Sequence, residues 1–415
     1  MIFNLQRLTL VVGLFFVSGL LGCATYQSKV ETARTAIETG NPDKAVKELK
    51  PLAEKEDGDQ LVYLLDYATA LQIAGDIKES NKAFLKADRL ADQVDYQSIS
   101  RIAGSLALNE EMVQYKGDTF EKIFINAYLA MNFLEIGQLD DALVEARRIN
   151  EKYLKYRADE KQNFELNSFS KYLSAMIWEA NRSYDDAYIA YAETYKIDPS
   201  ISTLGEDLIR SAKLARRMDT YKDWKKKFPE VQEEDSWYDR RKGELVILFQ
   251  QGWGPRKQAS NNEYRFPVLR PVFSETQKAR LVISDSNKVL VSQKVYDVQE
   301  AAIATLRDDQ GILLAKRVAG LATKAVLSDQ VRQKNEALGA LAWVAMNIAD
   351  RADVRQWSFL PQTIQTIRIQ LPPGKYKFRL EGLTHGLSAT GENLADREIE
   401  IKAGQKKFAV WRSVK

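Results

Sequence analysis

Between about Ser28 and Pro229 the chain repeats one pattern: a helix-breaking position, then a small side chain five residues later. Gly40 precedes Ala45, Gly75 precedes Ser80, Gly137 precedes Ala142, and Arg182 stands in the glycine position before Ala187. A second small residue lies seven places before each break, at Ala33, Ala68, Ala130 and Ala175. Four places after the first small residue come Leu49, Phe84 and Tyr191, with Ala146 the exception. Such spacing describes two helices joined by a tight turn. The small residues let the helices approach closely, and the break residue closes the turn between them. One such unit cannot bury its apolar face alone, so the pattern forces stacking of successive units into a shared core.

These spacings resemble the tetratricopeptide repeat. The fourth unit fits best, because Pro199 falls twelve places after Ala187, where that repeat ends its second helix. The units are not evenly spaced, and Gly117–Thr119 reads as part of a loop inserted between two of them. A weaker fifth unit spans Leu204–Phe228. The resemblance implies a solenoid whose concave surface holds other proteins. An irregular helical bundle without a groove is the alternative.

A charged stretch, residues 230–243, has neither helical nor strand periodicity and is read as a linker. Beyond it the pattern turns to strands. Leu245–Phe249 is a short apolar run suited to a buried strand. Ala279–Ser284 and Val289–Lys294 read as a hairpin, and Tyr376, Phe378 and Leu380 alternate with Lys375, Lys377 and Arg379. Arg397–Lys402 and Lys407–Val414 read as a final pair around Gly404, while helices start near Val298 and at Glu336. The apolar stretch 336–352 reads as a buried core helix, with a contact helix in an oligomer or a membrane-touching segment as the alternative. The expected fold is α+β: an N-terminal helical solenoid (28–229), then a mixed, β-rich, sandwich-like domain with inserted helices (244–415).

Near the start of the sequence Arg7 is followed by an apolar run from Leu8 to Leu21 that leads to Gly22 and Cys23, the one cysteine present. That is the build of a secretory signal. A run of this length is shorter than the ~20 residues that span a bilayer. Its end, Leu20 to Cys23, resembles the lipobox of bacterial lipoproteins. The resemblance implies cleavage after residue 22, a diacylglycerol thioether on Cys23, and a short anchored linker over 23–27. Ala24, where an Asp would favour inner-membrane retention, implies the periplasmic side of the outer membrane. The formal net charge is +3 and no strongly basic domain stands out, which argues against a nucleic-acid partner. With a single histidine, His385, and no second cysteine, neither a His-built zinc site nor a Cys–His nucleophile can be assembled from one chain.

Three short motifs suggest enzymes and are better explained otherwise. Ser168 and Lys171 have Ser-x-x-Lys spacing, but the Lys-Thr-Gly segment that accompanies it in penicillin-recognising enzymes is absent. Glu79-Ser80 coincides with the second repeat turn, and Gly374-Lys375 lacks the glycine run of a phosphate loop. More specific signals lie in the second domain, at Gln250–Lys257, Arg351–Pro361 and Leu371–Tyr376. With the third-repeat segment Asp118–Tyr153, they resemble an uncharacterised bacterial lipoprotein family that joins tetratricopeptide-like repeats to a β-rich domain. This resemblance implies an envelope location and no activity. Arg256, Lys257, Arg351, Asp353, Arg355 and Trp357 are the candidate binding residues. They read either as a cationic ledge for carboxylates or glycan phosphates, or as a salt-bridged corner under an aromatic ring. The expectation is a non-enzymatic scaffold with no cofactor or metal. It would hold envelope proteins, cell-wall synthesis machinery among the candidates, in its repeat groove and be tied to the membrane through Cys23. A cell-wall enzyme using a carboxylate pair, or a structural subunit of an envelope-spanning assembly, is the alternative.

Overall fold

The computed structural model describes residues 26–101, 114–158, 167–260, 266–284, 289–307 and 353–415, with side chains of the first segment through Val94. The signal-like start, Cys23, Arg351, the apolar stretch 336–352 and the hairpin turn 285–288 lie outside the described residues.

Five helical pairs stack in chain order. They are α1 (Tyr26–Glu38) with α2 (Pro42–Glu54), α3 (Gln60–Ala74) with α4 (Ile77–Arg101), α5 (Thr119–Glu135) with α6 (Leu139–Ala158), α7 (Ser168–Ala180) with α8 (Tyr184–Ile197), and α9 (Leu204–Leu214) with α10 (Met218–Lys227). Every turn within a pair closes the same way. The residue at the break is left-handed, with φ of 79° at Gly40, 85° at Gly75, 77° at Gly137, 63° at Arg182 and 58° at Arg216. Its N–H, and that of the next residue, reach back to carbonyls of the last helical turn. Gly40 bonds Ile37 and Asn41 bonds Ala36, at 2.9 and 2.8 Å, and the other four turns repeat this. This is the double cap that satisfies the free carbonyls of a helix end. All eight small positions named above, from Ala33 to Ala187, are fully buried. At one of them Ser80 Oγ donates to the carbonyl of Ala68 across the pair at 2.8 Å.

The second domain is built on two sheets. The first has the order β11-β1-β7-β6, from β1 (Gly243–Gln251), β6 (Gln293–Asp297), β7 (Thr363–Leu371) and β11 (Lys406–Arg412). The second has the order β10-β8-β4-β5, from β4 (Lys278–Ile283), β5 (Val289–Val291), β8 (Gly374–Leu383) and β10 (Arg397–Ile401), with β9 (Ala389–Asn393) also on β8. A small ribbon, β2 (Arg256–Ala259) with β3 (Pro267–Arg270), stands beside them. Strand β1 is buried along its whole length, which explains its unbroken apolar run. Leu245, Ile247 and Phe249 face Leu281, Phe378 and Leu380 in the core between the sheets. Val246 and Leu248, on the opposite face, join the core of the helical repeats. The molecule therefore has three layers: helices, first sheet, second sheet.

Two connections differ from the sequence expectation. Residues 397–401 and 406–412 do not pair with each other: β10 pairs with β8, antiparallel, and β11 with β1, parallel. The chain changes sheets at the turn between them, and that turn packs directly on the backbone of Gly243. Glu244 N donates to Gln405 O at 2.8 Å, and a Cβ on Gly243 would lie 2.4 Å from Lys402 O. Likewise, only the start of the second hairpin arm, β5, pairs with β4; after Ser292 the chain crosses to the first sheet as β6. The linker 230–243 is packed against the last repeat. Glu233 accepts from Lys213, Tyr221 and Lys225 at 2.5, 2.6 and 3.2 Å. Burial opposes its ionisation, but these donors hold its carboxyl well below the usual range.

Candidate functional site on the concave face of the repeats

The first helix of each pair turns toward the second domain. The sequence of α3 forecasts this, since it is apolar on every side and must be covered on both. The concave face expected to stand open to a partner is covered by the chain's own residues.

Residues 353–361 lie along α1, α3 and α5 as an irregular segment with a turn at Ser358 and Phe359. Trp357 N–H donates to Glu121 Oε1 at 3.1 Å, and Phe359 N–H to Asp66 Oδ1 at 3.0 Å. These two N–H groups each meet a carboxyl group from a different helix. Tyr26 Oη sits within hydrogen-bonding reach of Asp66, Gln356 O and Ser358 Oγ. Gln27 Nε2 donates to Val354 O at 2.6 Å. The indole of Trp357 enters an aromatic pocket, 5.0 Å from the ring of Tyr128, 5.7 Å from Phe84 and 6.2 Å from Phe124. Its Nε1 donates to Thr69 Oγ1.

Asp66 and Glu121 are 0 and 3 % exposed. Burial pushes Asp66 up to about 8, against the hydrogen bonds from Tyr26 and from the N–H groups of Phe359 and Ser358. Burial, with the charge of Asp118, pushes Glu121 up to about 7, against the donors Asp118 N–H, Tyr115 and Trp357 N–H. This is a carboxyl pair of the kind sequence cannot locate. Its oxygens are engaged by backbone and tyrosine donors, and both groups are buried.

Farther along the groove the contact is ionic. Glu179 on α7, with Asp207 and Arg210 on α9, meets Glu244, Arg368 and Lys406 on β1, β7 and β11. Arg210 Nε lies 2.7 Å from Glu179, and Arg368 Nε 2.6 Å from Glu244. Three acids and three bases close into one buried network. Burial opposes ionisation of Glu179, but Arg210, Lys406 and Arg368 hold it far below the usual carboxylate range. Arg368 and Lys406 do the same for Glu244.

The structure gathers most of the sequence-derived candidates at one end of this groove. Arg355 is forked onto Asp353, with Nε and Nη2 at 2.9 and 2.7 Å, and its Nη1 reaches Asp59 at 2.8 Å. Arg256 pairs with Glu31 on α1 at 2.8 Å, and Lys257 Nζ donates to Arg355 O at 3.4 Å. Asp66, Glu121 and Tyr26, which hold the segment in place, carry no motif. Asp66 is marked in the sequence only as a charged residue inside a mostly apolar helix, and Glu121 only as part of a helix-start box with Asp118. Trp253 is flanked by the guanidinium groups of Arg34 and Arg412, at 4.3 and 5.0 Å from its ring. Of the discounted motifs, Ser168 bonds Asp198, Lys171 bonds Asn150 and Glu193, and His385 sits in the exposed turn between β8 and β9.

No family model matches this sequence, and no curated protein matches it. Among solved structures, MamA from Desulfovibrio magneticus RS-1 is similar at 16 % identity and a TM-score of 0.32, over 49 % of this chain and 91 % of that one. A Podospora anserina putative kinesin light chain with nearly identical TPR-like repeats is similar at 14 % identity and a TM-score of 0.33, over 50 % of this chain and 93 % of that one. Both likenesses fall on the helical half.

Proposed function

We propose that this protein is a lipoprotein of the bacterial envelope, anchored through Cys23 on the periplasmic side of the outer membrane, and that it acts as a protein-binding scaffold. The anchor is supported by the signal-like start and the Leu20–Cys23 lipobox. The scaffold reading rests on one observation: the repeat solenoid already grips a non-helical segment, residues 353–361, by its backbone N–H groups and one indole. Holding a segment in that way is what helical-repeat grooves do for partners. Here the grip fastens the second domain to the solenoid, so the outer surfaces of both are left for other proteins.

The test has two arms. Intact mass of protein extracted from membranes should correspond to cleavage before Cys23 plus an acyl adduct, and Cys23→Ser should release or misprocess the chain. Crosslinking in intact cells should join the protein to other envelope proteins. An unprocessed chain beginning at Met1 removes the anchor, and the absence of any crosslinked protein removes the scaffold.

A further inference from the structure

The sandwich has an open edge where β10 and β11 diverge, and a cleft of about 330 Å³ lies there. Phe378, Ile399, Phe408 and Ala409 form its floor, and all four are buried. Charged residues rim it, with Glu135 of α5 and Arg397 paired across one end.

Both strands that border the cleft are the last in their sheets, so each has a free edge. On β8, Lys377 O accepts from Ser284 N beyond β4 and Leu383 O from Gln277 N, which fixes the odd-numbered residues as those facing β4. The even-numbered residues Tyr376 and Phe378 therefore bond β10, opposite Ile399 and Arg397. The N–H and C=O of Glu398 and Glu400 point outward, away from any strand of the described residues. The edge of β11 is treated differently: the carboxylate of Glu135 takes its outward Val410 N–H at 2.6 Å. Of these two edges, that of β10 meets no such acceptor among the described residues.

Charge along the outer face sets the next row. On β8 stand Lys375, Lys377 and Arg379; on β10, in register with Lys377 and Lys375, stand Glu398 and Glu400. A strand added beyond β10 would meet those two glutamates with one set of side chains and the apolar floor with the other. A second copy adding β10 against β10 would set glutamates against glutamates.

We propose that the β10 edge is a strand-addition site for an extended peptide alternating basic and apolar side chains. This rests on the scaffold reading and names the surface and the partner class for it. The test is fluorescence anisotropy of the purified full-length mature protein with a labelled peptide alternating lysine and valine, against one alternating glutamate and valine. The lysine peptide should bind at least ~10-fold tighter, because only it complements Glu398 and Glu400. Glu400→Pro removes an outward N–H without touching the β8 ladder, as proline is tolerated on an edge. It should weaken binding ~10-fold or more, with the thermal midpoint near wild type. The conservative pair Glu398→Gln and Glu400→Gln should abolish the preference for lysine, and it decides the matter if the proline variant folds poorly. Equal binding of the two peptides, no binding by wild type, or indifference to both variants overturns the site. Wild-type self-association that blocks the peptide reassigns the edge to a second copy and overturns it too. In-cell crosslinking separates this from the broader reading: the same adducts with wild type and Glu400→Pro remove the cleft and leave the scaffold. Loss of all adducts in both removes the scaffold while the peptide assay still judges the cleft.

Discussion

Trp357 and Thr69 lie 288 positions apart in the chain and share a hydrogen bond of 2.9 Å, from the indole nitrogen to the threonine hydroxyl. That bond sits at the centre of the contact by which a helical solenoid and a β-sandwich become one body. Trp357→Ala removes the indole from a pocket of three aromatic rings and leaves Thr69 without its donor. The expected loss is ~3–5 kcal/mol, the usual range for emptying a buried aromatic site. Urea denaturation should show it. The wild type should unfold in one transition, and the variant should separate into two as the layers uncouple.

A second expectation concerns pH. Asp66 and Glu121 keep their protons in the folded protein to about 8 and about 7, because burial disfavours their charged forms. In an unfolded chain such groups ionise near 4. The folded state therefore binds more protons across that interval, and this contribution to stability is lost as pH rises from about 4 through about 8. Asp66→Asn cannot ionise, so the difference in stability between wild type and variant should shift steadily in the variant's favour across that range. Urea midpoints at several pH values check it; a difference that does not change with pH would remove the assignment for Asp66.

Arg368→Met breaks the six-charge network. It leaves Glu244 and Asp207 buried with one fewer cation each. Removing one partner of a buried pair costs ~3–5 kcal/mol, because the remaining charge is stranded. Calorimetry should show a large drop in the thermal midpoint, and Arg368→Lys should recover only part of it, since an ammonium lacks the guanidinium fork.

Ala130, fully buried on α5, tests the register of the repeats. Ala130→Leu should cost ~1–3 kcal/mol through overpacking. A neutral result in equilibrium denaturation would mean that α5 and α6 are not in the close contact described.

The repeats were legible because their turns need a left-handed residue and their crossings need small ones, and both demands leave marks at fixed spacing. The fifth pair was faint for a physical reason. Its break is Arg216, and the positions seven before and five after it are Ile209 and Tyr221, so it lacks the small–small signature while making the same turn. The double burial of β1 was legible in its unbroken apolar run. The sheet change at Gly404 was not, because two amphipathic strands around a glycine look the same whether they pair or part. Nor was the seat of residues 353–361. A backbone N–H carries no sequence signal, and its acceptors Asp66 and Glu121 lie more than two hundred positions upstream. Arg355 and Trp357 stood out as residue types, but their partners could be named only once α3 and α5 were in place.

The parallel pairing of β11 with β1 has a consequence for how the molecule is made. A ribosome delivers the helical repeats first and Lys406–Arg412 last of the described strands. Until those residues emerge, the first sheet lacks an edge strand, Glu179 and Glu244 lack the ammonium of Lys406, and the apolar lining around Phe124 and Tyr128 is only part covered. Synthesis thus passes through a long interval in which most of the chain exists but its inner seam is sticky. Chain that still lacks Lys406–Arg412 keeps this seam exposed, and exposed apolar surface of that kind is prone to aggregate.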